Sequence, residues 1–120
     1  MLLHVSNRTR GMLIADRCEL ARSFLARGKG LMGRPGLERG QGLLIYPEWS
    51  IHTFFMRFAI DVIFLDAQNR VVGLELAMPP NRLYAGVWGA RSVLELPAEQ
   101  IGATQTQVGD QLVFEPPILP

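Results

Sequence analysis

From residue 43 onward the chain is a succession of short apolar segments separated by turn residues, and this pattern constrains the fold more than any other feature. The segments read LLIYP, SIHTFFM, IDVIFLD, RVVGLEL, SVLEL and DQLVFE, and Pro, Gly, Asn and Asp residues stand between them. Several are apolar at consecutive positions, which is typical of strands covered on both sides. Two more strands are predicted near the N-terminus, LLHVSN and GMLIA.

Helical patterns are scarce by comparison. Asp16 and Glu19 have the D-x-x-E spacing of a capping box, and apolar residues follow at helical spacing, which predicts an amphipathic helix over about residues 17–28. A second short helix is predicted after Pro97. Because so little helix is available to cover the strands, we predict a mainly β fold, a compact small β barrel or sandwich with one amphipathic helix packed against it.

The segment GKGLMG, residues 28–33, matches the G-x-G-x-x-G pattern of dinucleotide-binding loops. That loop must follow a strand and open a helix, so that the helix N-terminus faces the phosphates. Here the glycines follow a predicted helix and lead into the turn residues Pro35 and Gly36. We therefore interpret them as a helix end and a loop, and we predict no nucleotide and no other cofactor.

Size and composition indicate one globular domain, residues 1–120, with a proline-rich tail at 115–120. The lone Cys18 excludes an internal disulfide and a cysteine metal cluster. The first ten residues lack the apolar run of a signal peptide, and nowhere do 18 apolar residues follow one another, so we expect a cytoplasmic protein without a membrane span. Residues 1–39 hold eight basic and three acidic residues, but no basic run with interleaved aromatic residues predicts a nucleic-acid partner.

The order of several sequence blocks resembles a known family. GLMGRPGLERGQGLLIYP, FFM, IDVIFLDAQNRVVGL, VLELPA and VGDQLVF follow one another as in the domain of unknown function 192 family, over about residues 14–114. The resemblance implies a compact, mainly β domain and no particular reaction. That family usually has F-W-M-K-N-T where this chain has Phe54-Phe55-Met56-Arg57, so a role that depends on the Asn-Thr pair is not carried over.

Asp61 and His52 are the first candidates for a functional site. Asp61 opens an apolar strand, on the face of Ile63 and Leu65, where a carboxylate needs a cation or N–H donors. It is either a structural residue, held by an arginine or by a loop backbone, or part of a site. His52 shares a face with Met56 and is either a general base or metal ligand, or a histidine bonded to a neighbouring carbonyl.

Three further residues complete the candidate set. Arg34, in the glycine-rich loop, either grips an anionic ligand or bridges to Glu95 or Asp61. Strand alternation turns Glu95 away from its leucine neighbours, which favours a solvated strand face over a site. Trp88 lies in a glycine-containing loop, where it either stacks on a ligand or covers the core.

Three functions remain open on these residues. The leading prediction is a non-catalytic binding module that holds a small molecule or a protein segment at the open end of the barrel, near Arg34, Met56, Asp61 and Trp88. The second is a structural or assembly role, which predicts an apolar patch matched by a partner. The third is an acid–base enzyme that uses Asp61 with His52 or Glu95. No metal site is predicted, because ligand spacing is lacking.

Overall fold

The computed structural model describes residues 2–84 and 86–118 and is mainly β, as predicted. In chain order its elements are β1 (Leu2–Asn7), β2 (Met12–Ala21), α1 (Phe24–Lys29), β3 (Gln41–Ile45), β4 (Ile51–His52), β5 (Ile60–Leu65), β6 (Val71–Met78), β7 (Leu83–Tyr84), β8 (Ser92–Pro97), α2 (Gln100–Thr104) and β9 (Leu112–Glu115).

Seven of these strands form one curled sheet in the order β6-β5-β8-β3-β2-β1-β9, with β2 and β3 parallel and the other pairs antiparallel. The two edge strands meet at one end, where Val71 N–H donates to the Asp110 carbonyl at 2.9 Å and Leu112 N–H donates to the Asn69 carbonyl at 3.0 Å. This contact curls the sheet into a half-barrel. Strands β4 and β7 form a separate two-stranded ribbon.

The concave face of the sheet is filled by one apolar cluster, here called the inner cluster. All seven strands and α2 contribute to it, and it consists of Leu3, Val5, Ile14, Ala15, Cys18, Leu44, Ile63, Leu65, Val71, Leu94, Leu96, Ile101, Leu112 and Phe114. Burial raises the pKa of the Cys18 thiol to about 12, so this residue packs as a small apolar side chain.

A second cluster, the outer cluster, covers the convex face of the central strands. Its members are Ala21, Leu31, Leu43, Ile45, Ile51, Met56, Ile60, Val62, Phe64, Met78, Ala90 and Val93. The covering residues come from the loop after α1, from the β4–β7 ribbon and from the segments beside it. Clusters on both faces explain why the central strands are apolar at consecutive positions.

The helix predicted over residues 17–28 is wrong in its first half. Strand β2 continues to Ala21, because it pairs with β1 on one side and, from Arg17 to Ala21, with β3 on the other. Two rows of sheet hydrogen bonds outweigh the local capping signal. The helix begins at Phe24, and its N-cap is Ser23, whose hydroxyl accepts from Ala26 N–H at 3.1 Å. The helix predicted after Pro97 is present as α2.

The glycine-rich segment leads out of α1, as predicted. Gly28 lies in the helix, and Gly30 is the C-cap with a positive φ of 50°, which favours glycine. The tail is described as far as Ile118, and its last two residues lie outside the described residues. Neither α1 nor α2, the helices of the described residues, has the length or apolar content to cross a bilayer.

Candidate functional site

A cleft opens on the outer face of the sheet, between β8, the C-terminal half of α1 and the β4–β7 ribbon. Its volume is about 150 Å³, and its lining includes Arg27, Lys29, Glu48, His52, Met56 and Glu95. Thus three of the predicted candidates, His52, Met56 and Glu95, come together here. The cleft lies outside the curled sheet, whereas the site predicted from the sequence lies at the open end of a barrel.

Glu95 lies in this cleft on the apolar outer face of the sheet. In the sheet it stands opposite Leu43 of β3 and Val62 of β5, and both belong to the outer cluster. The expectation of a solvated strand face is wrong, since only 2% of the residue is exposed. Alternation turned it away from Leu94 and Leu96 as expected, but the second face of β8 is covered too.

The electrostatics of Glu95 follow from this burial. Loss of hydration raises the pKa of its carboxyl from 4.5 to about 8, and the positive charge of Arg34 offsets part of the shift. Its Oε1 atom has no hydrogen-bond partner among the described residues. Buried polar atoms are nearly always paired, so an unpaired one in a cleft indicates a position where a ligand can bind.

Arg27 contributes a second unpaired polar atom to the same cleft. Its Nη1 donates to the Pro47 carbonyl at 2.9 Å, which holds the guanidinium beside the loop that follows β3. Its Nε–H is buried and has no partner in the part of the chain that the structure describes. Two residues that line the cleft, Glu95 and Arg27, therefore each have a polar atom with unused bonding capacity.

His52 is held in place by its own loop. Its Nδ1 accepts a hydrogen bond from Phe54 N–H at 3.2 Å, and the two rings stack with centroids 5.4 Å apart. The ring therefore bonds to the neighbouring backbone, through an N–H rather than the carbonyl expected from the sequence. As an acceptor, Nδ1 carries no proton, so the proton of the neutral ring is on Nε2.

The wall that carries His52 is fastened by Thr53, which sequence reasoning missed. The buried Thr53 hydroxyl donates to the Pro79 carbonyl at 2.6 Å and accepts from Arg82 N–H at 2.8 Å. Its backbone N–H donates to the Arg82 carbonyl at 2.7 Å. A threonine within an apolar segment signals no such role, because its partners lie 26 and 29 residues away.

Arg34 and Asp61 are placed by the fold outside the cleft lining. Arg34 pairs with Glu19, with Nη1 and Oε2 2.7 Å apart, and not with either predicted partner. Asp61 lies on the inner face, where its two carboxylate oxygens accept from Ala77 N–H and Ile101 N–H, each at 2.8 Å. Since Asp61 and Glu95 point to opposite faces of the sheet, these two carboxyl groups do not form an acid–base pair.

Trp88 lies away from the cleft and does not cover the core, because 98% of it is exposed. Together with Trp49 and residues 86–90 it borders a separate shallow hollow. The close approach there requires a glycine at position 86, since a Cβ atom would overlap the carbonyl oxygen of Trp49. Within the described ranges, no three His, Cys, Asp or Glu side chains are grouped as a metal site would need.

Comparisons with known proteins agree with the resemblance seen in the sequence. The profile of the DUF192 family, described as "Uncharacterized ACR", matches residues 5–114. A UPF0127 protein of Thermococcus sibiricus is 35% identical over 113 residues, which cover 91% of this chain and 73% of that protein. A UPF0127 protein of Pyrococcus furiosus is 36% identical over 111 residues, which cover 88% of this chain and 93% of that protein.

A solved structure has the same fold. The crystal structure of a protein of unknown function from Novosphingobium aromaticivorans matches with a TM-score of 0.77 at 24% identity and covers 92% of this chain and 82% of that chain. On the family match and on the identity to the two archaeal relatives, the chain belongs to the DUF192 family.

Proposed function

We propose that residues 1–120 form one domain, a binding module that holds a small polar ligand, or one polar side chain of a partner segment, in the cleft of Glu95. The observation that carries this proposal is the fully buried carboxyl group whose Oε1 atom has no partner among the described residues. Burying such a group is costly, and a bound ligand that pairs with it would recover that cost.

The volume of the cleft limits the size of the ligand. An apolar cavity of about 150 Å³ in another protein accommodates benzene, so this cleft has room for roughly six to eight non-hydrogen atoms. That is the size of a small organic acid, of part of a sugar ring or of one amino-acid side chain. A larger ligand would extend over the rim.

The unpaired groups limit the chemistry of the ligand. Because the pKa of Glu95 is about 8, its carboxyl group is mostly protonated at neutral pH and donates a hydrogen bond. Arg27 Nε–H is a second donor. Lys29 adds positive charge at the rim, and Glu48 is the one acidic residue there. These groups favour a neutral or anionic ligand with at least two oxygen acceptors.

The proposal is tested by NMR titration of the ¹⁵N-labelled protein with oxygen-rich fragments, such as small hydroxy acids and monosaccharides. We expect binding fragments to shift the amide signals of Gly30, Leu31 and Met32, which line the cleft. Glu95→Leu removes the carboxyl group at similar volume and should abolish these shifts. Glu75→Leu, on β6 outside the cleft, is the matched control and should leave them unchanged.

Binding should also depend on pH in one direction. The affinity should hold up to about pH 8 and fall about tenfold per pH unit above it, because ionised Glu95 no longer donates. The other charged or titratable groups near Glu95 are Arg34 and the cleft residues Arg27, Lys29, Glu48 and His52. Fragments that bind wild type and Glu95→Leu equally well would contradict the proposal.

Acid–base catalysis is the second candidate function. It is favoured by one observation, that a carboxyl group with a pKa near 8 shares a cleft with an imidazole. Glu95→Gln separates the two functions: a binding module should retain much of its affinity, whereas an enzyme should lose turnover of any ligand found to be converted. We also propose a cytoplasmic location, which cell fractionation tests.

A further inference from the structure

Large apolar side chains project into solvent around the cleft and on the loops beside it. Phe24 and Leu25, at the start of α1, are each 81% exposed, and Trp88 is 98% exposed. The other members are Trp49, Phe54, Phe55 and Leu83. Exposure of one such residue is ordinary, whereas a group of seven on one side of a small protein indicates an interaction surface.

These residues belong to segments that contact one another, so they form one surface. Arg27 of α1 bonds to the Pro47 carbonyl, and Gly33 N–H donates to the Phe55 carbonyl at 3.2 Å. The β4–β7 ribbon joins residues 51–52 to residues 83–84, and Glu48 N–H donates to the Arg91 carbonyl at 2.9 Å. We name this surface, built from residues 22–34, 46–58, 79–84 and 86–91, the basic–aromatic face.

The charges of this face are strongly one-sided. Its segments hold seven of the twelve basic residues, Arg22, Arg27, Lys29, Arg34, Arg57, Arg82 and Arg91, and one of the eleven acidic residues, Glu48, although Arg34 is paired with Glu19 of β2. The rest of the chain holds five basic and ten acidic residues. The molecule is therefore nearly neutral overall but strongly polarised, and the positive end is also the end with exposed aromatic side chains.

We propose that the basic–aromatic face docks on the surface of a membrane that contains anionic phospholipid. Basic side chains would contact the lipid phosphates, and the projecting Trp, Phe and Leu side chains would enter the region between headgroups and acyl chains. This binding is peripheral and needs no membrane-spanning segment. It goes beyond the ligand cleft, and its test does not depend on a ligand.

The shape of the face favours lipid over a protein partner. Its apolar side chains project from separate points, since Phe24 and Leu25 lie at the tip of α1, Leu83 lines the cleft, and Trp49 and Trp88 border the separate hollow. Insertion into a bilayer requires no shape complementarity, whereas a protein interface does. Phe55 has a positive φ of 62°, an unfavourable backbone conformation for this residue, and its side chain is directed into solvent.

Vesicle binding tests the proposal. Purified protein is sedimented with vesicles of phosphatidylcholine alone or of phosphatidylcholine with phosphatidylglycerol, at about 0.01 M and at physiological ionic strength. We expect binding to the anionic vesicles only, and weaker binding at the higher ionic strength. The two tryptophans of the chain, Trp49 and Trp88, both lie on the face, so their fluorescence should shift to shorter wavelength on binding.

Matched surface variants separate this face from the rest of the molecule. Trp88→Ser should weaken vesicle partitioning at least about tenfold, because a large apolar side chain no longer enters the lipid. Arg82→Gln should weaken it about fivefold, the usual contribution of one basic residue at an anionic surface. Leu76→Ser and Arg70→Gln, which are exposed outside the face, should leave it unchanged.

Several results would overturn the proposal. Absence of binding to anionic vesicles at low ionic strength would do so directly. Equal binding by wild type and Trp88→Ser would exclude apolar insertion through this face. Concentration-dependent dimerisation without lipid, lost in Trp88→Ser, would assign the face to a second copy of the chain. Equally strong binding to soluble poly-glutamate would assign it to an acidic protein partner.

Discussion

Two neighbouring strands of the curled sheet each carry a buried carboxyl group, one on the inner face and one on the outer face, and the two groups differ in whether they are paired. On the inner face Asp61 accepts from two backbone N–H groups, each at 2.8 Å. On the outer face Glu95 has an oxygen without a partner among the described residues, and its pKa is raised to about 8. The strands that carry them, β5 and β8, are neighbours.

This difference separates a structural residue from a candidate site residue. Asp61 fastens the end of β6, at Ala77, and the start of α2, at Ile101, and so closes the inner face. The Oε1 atom of Glu95 has no partner among the described residues, so the burial of this carboxyl group lowers the stability of the protein, and the positive charge of Arg34 offsets only part of that cost. A residue that lowers the stability of the fold and lies in a cleft is therefore a candidate for a functional role.

The largest effect is expected on the inner face, from Asp61→Ala. The substitution removes the acceptor of two N–H groups, a buried one at Ile101 and a part-buried one at Ala77, and since the loss of such a partner costs about 1–3 kcal/mol each, the free energy of unfolding should fall by about 2–6 kcal/mol. Urea denaturation measures this change. Asp16→Ala, an exposed aspartate, is the control and should change stability by less than about 0.5 kcal/mol. A loss below about 1 kcal/mol for Asp61→Ala would remove the contrast between the two faces.

The second effect is expected on the outer face and has the opposite sign. The folded protein keeps the proton of Glu95 up to about pH 8, whereas the unfolded chain releases it near pH 4.5. Between these values the folded state binds one more proton, so the free energy of unfolding falls as pH rises, by about 1.4 kcal/mol per pH unit. The glutamine side chain of Glu95→Gln cannot ionise, so the free energy of unfolding of this variant does not fall with pH in this way. It should therefore become more stable than wild type, with an advantage that grows by at most about 4 kcal/mol from pH 5 to pH 8.

Urea denaturation of wild type and Glu95→Gln at several pH values between 5 and 8 measures this advantage. Glu115→Gln, an exposed carboxylate at the end of β9, is the matched control and should leave the pH dependence of wild type unchanged. If the advantage of Glu95→Gln were the same at pH 5 and pH 8, Glu95 would be ionised in the folded state and its burial would not raise its pKa.

The smallest effect sharpens the comparison by changing the surroundings of Glu95. The positive charge of Arg34 favours the ionised form of Glu95, so Arg34→Gln should raise the pKa of Glu95 above its value of about 8. The titration of the Glu95 side-chain carboxyl carbon, followed by ¹³C NMR, measures this pKa. The same variant should cost about 0.2–1 kcal/mol of stability, because the half-exposed ion pair with Glu19 is lost.

Arg17→Gln is the control for this titration. It removes an equally basic residue that pairs with Asp16 and Glu38 and does not act on the carboxyl group of Glu95. An unchanged pKa of Glu95 in Arg34→Gln would show that burial alone determines it.

The strand pattern predicted most of the fold. Alternation within IDVIFLD correctly placed Asp61 on the face of Ile63 and Leu65, because side chains of a strand alternate by geometry. The prediction of a helix over residues 17–28 was wrong where strand pairing determines the secondary structure. There, β2 and β3 are joined by a parallel pairing that the local sequence does not encode. The same limit applies to the two-residue strand β7, which was not predicted.

The candidate site was less predictable. His52, Met56 and Glu95 were named, but the burial of Glu95 depends on the residues that cover the outer face. Arg27 was missed, because its place in the cleft depends on a bond to the Pro47 carbonyl, twenty residues away. Arg34 was assigned to two acidic residues and pairs with a third, Glu19.

The sequence by itself determined the mainly β architecture, the family and the faces of the residues in the correctly predicted strands, because these depend on period, turns and block order. Tertiary structure alone decided which of two carboxyl groups is paired and which lies in a cleft. It also brought basic and aromatic residues from separate segments onto one surface. Both outcomes arise from contacts between residues far apart in the chain, and the energies of such contacts are absent from any local stretch of sequence.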